Sequence, residues 1–173
     1  MRFSMTLSAA AAMIALTDTA IAYDGPSDPQ IAHIAYTAGA IDVEAGKLAL
    51  TKSRNAAVRA FAEEMVRDHQ AVNDQALALV GKLKVTPEDN ATSKALVNQA
   101  NVALKRLKSL NGTAFDRAYA ANEVAYHRQV NGALKDLLIP SSNNGELKSL
   151  LEVGLTLFRE HQNHAEHLSS QLR

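Results

Sequence analysis

The sequence predicts an all-α fold built from four long helices and one short helix. Apolar residues recur at steps of three and four positions through five segments, which is the period of a helix with one buried face. Glycine and proline are scarce, at 8 and 4 of 173 residues, whereas alanine, the strongest helix former, is abundant. Hydrophobic residues form 47% of the chain, which is enough for one domain with its own core.

A short polar break separates the first two predicted helices. The first covers about residues 29–52, and its apolar residues define one continuous face. Asn55 follows the break and can cap the second helix, which covers about residues 56–84. Because the connection is so short, we expect these two helices to pack antiparallel.

A short helix and two more long helices follow. The short one covers about residues 92–109. Thr113 and Asp116 have the spacing of a capping box and begin a long helix over about residues 114–138. The last helix covers about residues 146–172, and the short loop before it predicts a second antiparallel pair. The longer connection that carries the short helix can act as the crossover of a ferritin-like four-helix bundle.

The N-terminus has the pattern of a secretory signal peptide, residues 1–22. Arg2 precedes an apolar run, and Ala20-Ile21-Ala22 supplies the small-x-small pattern of a cleavage site. The run is too short to span a bilayer comfortably, and no later stretch is apolar enough to do so. We therefore expect a mature domain of residues 23–173, without a transmembrane anchor, that is periplasmic, secreted or otherwise in the cell envelope. An uncleaved N-terminal anchor is the alternative.

Charge and residue types argue against several classes of function. The chain has 18 basic and 18 acidic residues, and a nucleic-acid partner would require a basic surface. It has no cysteine, which excludes disulfides, thiolate metal sites and cysteine nucleophiles. Nucleophile elbows, glycine-rich phosphate loops and zinc-protease motifs are also missing from the sequence. An enzyme is therefore ranked below a binding or structural protein.

Histidines on the apolar faces of the helices are the main chemical signal. His69 lies on the second helix, His127 on the third long helix, and His161 and His164 on the last. An imidazole that faces a core must hydrogen-bond or bind something, because unpaired ring nitrogens are costly to bury. Carboxylates accompany these histidines on the same helices and on the first one: Asp42, Asp68 and Glu123.

The middle positions of antiparallel helices can share one layer of a bundle. We therefore predict that these side chains meet in the interior and hold a transition metal ion, such as iron, zinc or copper. The direct ligands would be Asp42, His69, His127 and His161, with supporting or alternative ligands at Asp68, Glu123, Glu160 and His164.

The spacing of these residues leaves the nature of the cluster open. The Glu-x-x-His spacing of a di-iron centre is missing, since Glu123 and His127 lie four positions apart. The cluster could instead be a buried hydrogen-bond staple that fixes the register of the helices. The chain would then be a structural or interaction protein of the bacterial envelope. In either role it could form a homo-oligomer or bind an envelope partner, and the sequence identifies neither.

Several segments resemble a family of exported bacterial proteins, domain of unknown function 4142. The stretch from Val58 to His69 is similar to its V-x-x-F-A-x-x-M-V-x-D-H signature, and Gly112 to Tyr119 to its G-x-x-F-D-x-x-Y segment. His127 and His161 fall where the family has histidines on its last two long helices. The family usually has Glu where this chain has Asp42. The resemblance covers about residues 28–172 and implies a ferritin-like fold and an exported location, but no activity.

Overall fold

A computed structural model describes residues 25–172 of the chain. Over this range the protein is all-α and contains no strand. The predicted signal peptide, residues 1–22, lies outside the described residues. The helices are α1 (Asp28–Lys52), α2 (Ala56–Leu83), α3 (Ala91–Ser109), α4 (Gly112–Ala133), a three-residue α5 (Ile139–Ser141) and α6 (Gly145–Gln171), with a π-helical turn (Leu134–Leu138) between α4 and α5.

Asparagine side chains cap three of the helices, as the sequence predicts for α2. The Oδ1 atom of Asn55 accepts hydrogen bonds from the amides of Ala57 and Val58 at 2.9 and 3.3 Å. Asn90 caps α3 and Asn144 caps α6 in the same way.

The predicted capping box at the start of α4 is wrong. The helix begins at Gly112 after Asn111, and the Thr113–Asp116 pair does not cap it. Asp116 is instead buried, and its carboxylate accepts a hydrogen bond from the Ser53 hydroxyl. This bond ties the α1–α2 connection to α4, so Asp116 serves a tertiary contact rather than a helix end.

The end of α4 also differs from the sequence prediction, which ended this helix at about residue 138. The chain remains helical to Ser141, through the π-helical turn. Pro140 cannot donate a backbone hydrogen bond, and the π-helical turn ends two residues before it, so the chain passes this position while remaining helical. Leu134 and Leu138 at the two ends of this turn are both buried in the core.

The long helices form two antiparallel pairs, as predicted. In the first pair, α1 lies against α2, with Gly39 beside Asn73 and Gly46 beside Ala62. In the second, α4 lies against α6, and the Asn131 amide donates to the Phe158 carbonyl at 3.1 Å. The α2 and α6 helices also contact each other, and α3 packs mainly along α1.

Two glycines bring α1 unusually close to α2. A Cβ at Gly46 would lie 2.8 Å from Val66 Cγ2 and 3.1 Å from the Ala62 carbonyl oxygen. A Cβ at Gly39 would lie 2.3 Å from the Asn73 side-chain oxygen. These glycines are three positions before and four positions after Asp42, on the same helix face. The close approach that they permit lets the short Asp42 side chain reach across to α2.

Buried polar residues divide the apolar core into two clusters. One cluster has large side chains such as Phe61, Met65, Phe115, Tyr119 and Leu168. The other has Ile34, Val130, Leu134, Leu151 and Phe158. Each of the four long helices passes from one cluster to the other and presents an acid or a histidine at the boundary.

Within residues 25–172, no helix combines the length and the apolar character that a bilayer crossing requires.

Alanine substitutions at two glycines should have opposite effects on stability. At Gly46, the added methyl group meets α2, so we expect Gly46→Ala to lower the free energy of unfolding by about 1–3 kcal/mol. At Gly132, a Cβ meets nothing within 4 Å, so Gly132→Ala should raise it by about 0.5–1 kcal/mol. Urea denaturation of both variants measures this. Equal stability of Gly46→Ala and the unmodified protein would contradict the proposed close packing.

Candidate metal centre

Five titratable side chains from four helices meet in the layer between the two apolar clusters. They are at most 2% exposed: Asp42 on α1, His69 on α2, Glu123 and His127 on α4, and His161 on α6. Their meeting at one interior level agrees with the sequence prediction. On each of these helices, apolar residues lie before and after the polar residue in the sequence. Their packing fixes the depth of the polar layer in the bundle.

The tightest group consists of Asp42, His69 and His127. The Nε2 atom of His69 lies 3.3 Å from His127 Nε2 and 3.3 Å from Asp42 Oδ2. His127 Nε2 lies 3.5 Å from the same carboxylate oxygen. A tetrahedral metal ion with bonds of about 2.0–2.1 Å would space its ligand atoms about 3.3 Å apart. The three atoms therefore have the spacing of one face of a tetrahedral coordination sphere.

Hydrogen bonds on the outer side of two imidazoles fix their orientation. His127 Nδ1 donates to the Glu123 carbonyl oxygen at 3.1 Å, so its Nε2 carries a lone pair that faces the layer. His161 Nε2 lies 3.1 Å from Asp68 Oδ2, which leaves the buried Nδ1 of that ring as the acceptor nitrogen. Backbone carbonyls and carboxylates hold metal-binding histidines in this way in many proteins.

Burial keeps the three imidazoles neutral. It lowers the pKa of His69 well below the usual 6.5, and the neighbouring rings of His127 and His161 lower it further. Burial also lowers the pKa of His127 to about 4. The pKa of His161 is lowered by burial as well, although the adjacent Asp68 opposes the change. Near neutral pH, all three rings can therefore offer lone pairs to a cation.

The two buried acids are held away from their ionised forms. Burial raises the pKa of Asp42 to about 7. Burial and the negative charge of Asp42 raise the pKa of Glu123 well above its usual value. A hydrogen bond between the two side chains lowers the pKa of Asp42 and raises that of Glu123, and Asp42 Oδ2 also lies 3.3 Å from His69 Nε2. A divalent cation would compensate the charges of both acids when they ionise.

A second group of possible ligands connects this layer to the surface between α2 and α6. Ligand atoms of Glu64, Asp68 and His161 lie within 4.8 Å of one another. The exposed fraction of the side chains rises from 0% at His161 to 17% at Asp68, 28% at Glu64 and 44% at His164. The hydrogen bond from Arg67 lowers the pKa of Asp68, so that carboxylate is ionised beside the buried ring.

The predicted inward position of His164 is wrong. The buried face of α6 passes through Phe158, His161, Ala165 and Leu168, and His164 lies at its edge. Its Nδ1 atom is 2.7 Å from Glu64 Oε2, and its ring contacts Phe61 edge-on. Glu64 is the residue that the sequence reasoning missed. The signal available in the sequence was spacing. Glu64 lies four positions before Asp68 on α2, and the two histidines of α6 that face them lie three positions apart.

A buried tyrosine lies close to the two acids. Tyr119 is fully buried, and its hydroxyl has no hydrogen-bond partner among the described residues. Burial raises the pKa of Tyr119 well above 10, and the charges of Glu123 and Asp42 raise it further. Its hydroxyl therefore stays protonated beside the carboxylates.

Fold and site together define an all-α bundle with a buried histidine–carboxylate cluster. Residues 10–168 match the family model described as Domain of unknown function (DUF4142), and the chain belongs to that family. No curated protein and no solved structure matches the chain. The resemblance noted in the sequence is thus confirmed, and the family description itself assigns no activity.

Replacing Asp42 by the uncharged Asn should change the pH dependence of stability. The pKa of Asp42 is about 7 in the folded protein, against an ordinary 3.8. Between these two pKa values the folded state binds more protons than the unfolded state. The free energy of unfolding therefore falls as the pH rises through this range. Between pH 5 and pH 8, the free energy of unfolding of Asp42→Asn should therefore rise by about 3 kcal/mol relative to that of the unmodified protein. Urea unfolding in the presence of a chelator measures the gain.

The matched control for this experiment is Asp74→Asn, because Asp74 is exposed on the same helix pair. It should follow the unmodified protein at both pH values. Parallel pH profiles for Asp42→Asn and the unmodified protein would contradict the assigned ionisation of Asp42.

Proposed function

We propose that this protein is an exported, ferritin-like helical bundle that binds one transition metal ion in its interior. The observation that carries the proposal is the spacing of 3.3–3.5 Å among Asp42 Oδ2, His69 Nε2 and His127 Nε2. Glu123 and His161 line the same layer and would complete the coordination. The metal would be held for sequestration, delivery or redox protection.

Charge supports a divalent ion. When both acids ionise on metal binding, the layer with its three neutral imidazoles would carry two negative charges, which a divalent cation would neutralise within the interior. Imidazole and carboxylate together suit zinc, iron and copper. Because the pKa values of Asp42 and Glu123 are raised, metal uptake near neutral pH would release protons.

Location and architecture are further parts of the proposal. The signal-peptide pattern of residues 1–22 supports export to the periplasm or the cell envelope. Two antiparallel pairs, α1–α2 and α4–α6, with α3 in the connection between them, support a ferritin-like four-helix arrangement. Kinship of fold does not carry an activity, so the proposed function rests on the site.

Metal analysis tests the central proposal. Protein purified without chelator, or titrated with Zn²⁺, Fe²⁺ or Cu²⁺, should bind one ion per chain. A His69→Gln, His127→Gln double variant should bind at least about 100-fold more weakly, because two direct ligands are lost. His167→Gln, an exposed position on α6, is the matched control and should bind as the unmodified protein does. Equally low metal content in all three proteins would overturn the proposal.

The gradient of exposure from His164 to His161 supports entry of the ion between α2 and α6. Ligands that can exchange along a path lower the barrier to dehydration of an incoming ion. We expect a Glu64→Gln, His164→Gln variant to take up metal severalfold more slowly while its equilibrium affinity is retained. Stopped-flow competition with a chromophoric chelator measures both quantities. An unchanged uptake rate would exclude this route and leave the buried centre unaffected.

A structural role is the second candidate. The 3.3 Å contact between His69 and His127 and the bond from His161 to Asp68 are within hydrogen-bond distance, and they favour a staple between helices. In that case the His69→Gln, His127→Gln variant would have a lower melting temperature, and neither it nor the unmodified protein would take up metal.

A further inference from the structure

An apolar cavity lies next to the polar layer, within the second apolar cluster. Its volume is about 110 Å³, and residues of α1, α2, α3, α4 and α6 contribute to its wall. The lining is almost entirely aliphatic, with side chains such as Ile34, Val72, Leu96, Val130 and Leu151. Apolar cavities of about 150 Å³ remain dry and bind benzene or xenon. This space is smaller than such cavities but opens at the exposed Thr92 and Gln129, so a single small ring is the largest molecule that fits it.

One buried polar side chain interrupts this aliphatic wall. Asn73 lies one helical turn after His69 on α2, and it is buried where it lines the cavity. Its amide packs over Gly39 of α1, where any larger residue would collide with it. The other polar residues of the lining, Thr92 and Gln129, are exposed at the rim. Binding pockets for small molecules typically combine an apolar wall with a few such orienting groups.

Phe158 separates the cavity from the histidines. It lines the cavity, and its ring stacks on His69 with a centroid distance of 4.4 Å and an interplanar angle of 15°. The same ring lies 5.8 Å from the centroid of His161. A molecule in the cavity would thus contact one aromatic ring that itself contacts the proposed metal ligands.

We propose that this cavity binds a small neutral aromatic alcohol of the phenol class. The ring would occupy the aliphatic space against Phe158, where aromatic groups pair favourably. The hydroxyl would hydrogen-bond to the Asn73 amide. Binding requires no metal ion, so this proposal is independent of the proposed function.

Two probes that differ by one hydroxyl, p-cresol and toluene, test the proposal on the full-length mature chain in chelator. Titrations followed by amide NMR should show binding of both probes, with p-cresol about fivefold tighter, as one net hydrogen bond provides. Asn73→Leu should remove this preference while toluene still binds. Failure of the unmodified protein to bind either probe at millimolar concentration would overturn the proposal, as would an unchanged preference in Asn73→Leu.

A cavity-filling variant locates the bound probe. Ala76 lines the cavity, and Ala76→Leu should weaken both probes at least about tenfold, since the added side chain occupies their space. The matched control is Ala121→Leu at an exposed position of α4, which should bind both probes normally. Equal binding by Ala76→Leu and the unmodified protein would place the probes elsewhere and overturn the assignment. If Ala76→Leu does not fold, the preference measured in Asn73→Leu still decides for or against the cavity.

Discussion

The contact among Asp42, His69 and His127 is the constraint on which the rest of the structure depends. Groups that ionise in water are here enclosed between two apolar clusters, and their depth is set by the packing above and below them. If one helix slipped by a turn, a histidine or an acid would face aliphatic side chains without a partner, at a considerable free-energy cost. The polar layer therefore specifies the register of the helices, while the apolar clusters supply the stability. The glycines beside Asp42 serve the same end, because they let α1 approach α2 closely enough for a short carboxylate to reach the imidazoles.

The ionisation of the acids and histidines in this layer bears on whether the layer stabilises the fold or binds a ligand. Burial shifts the pKa values of the acids upward and those of the histidines downward, so both kinds of group are pushed toward their neutral forms. A layer selected only for stability would pair its polar atoms; here Asp42 and Glu123 hydrogen-bond to each other, but the Nδ1 atoms of His69 and His161 have no partner among the described residues. Neutral imidazoles whose Nε2 atoms lie 3.3–3.5 Å from Asp42 Oδ2 support the proposed cation site. The proposed site would lower the stability of the metal-free protein in return for affinity.

The sequence predicted the helices well because their signals are local. Asn55 caps α2 where expected, and the periodicity of α1, α2 and α6 gave their ends to within about two residues. Mid-helix placement also brought Asp42, His69, His127 and His161 to one level. The predictions that were wrong or missing concern contacts between helices. Successive residues of a helix are only about 100° apart, so His164 could be assigned to the buried face when Ala165 occupies it. Asp116 bonds to Ser53, and Glu64 pairs with His164, across contacts between helices that no local pattern encodes.

Anomalous diffraction from crystals grown with zinc or iron tests the central claim most directly, because it locates the ion without reference to stability or activity. We expect one dominant peak inside the bundle, about 2.0–2.2 Å from Asp42 Oδ2, His69 Nε2 and His127 Nε2. A peak confined to surface residues such as His164 or His167, with the interior layer devoid of anomalous signal, would contradict the proposed metal centre.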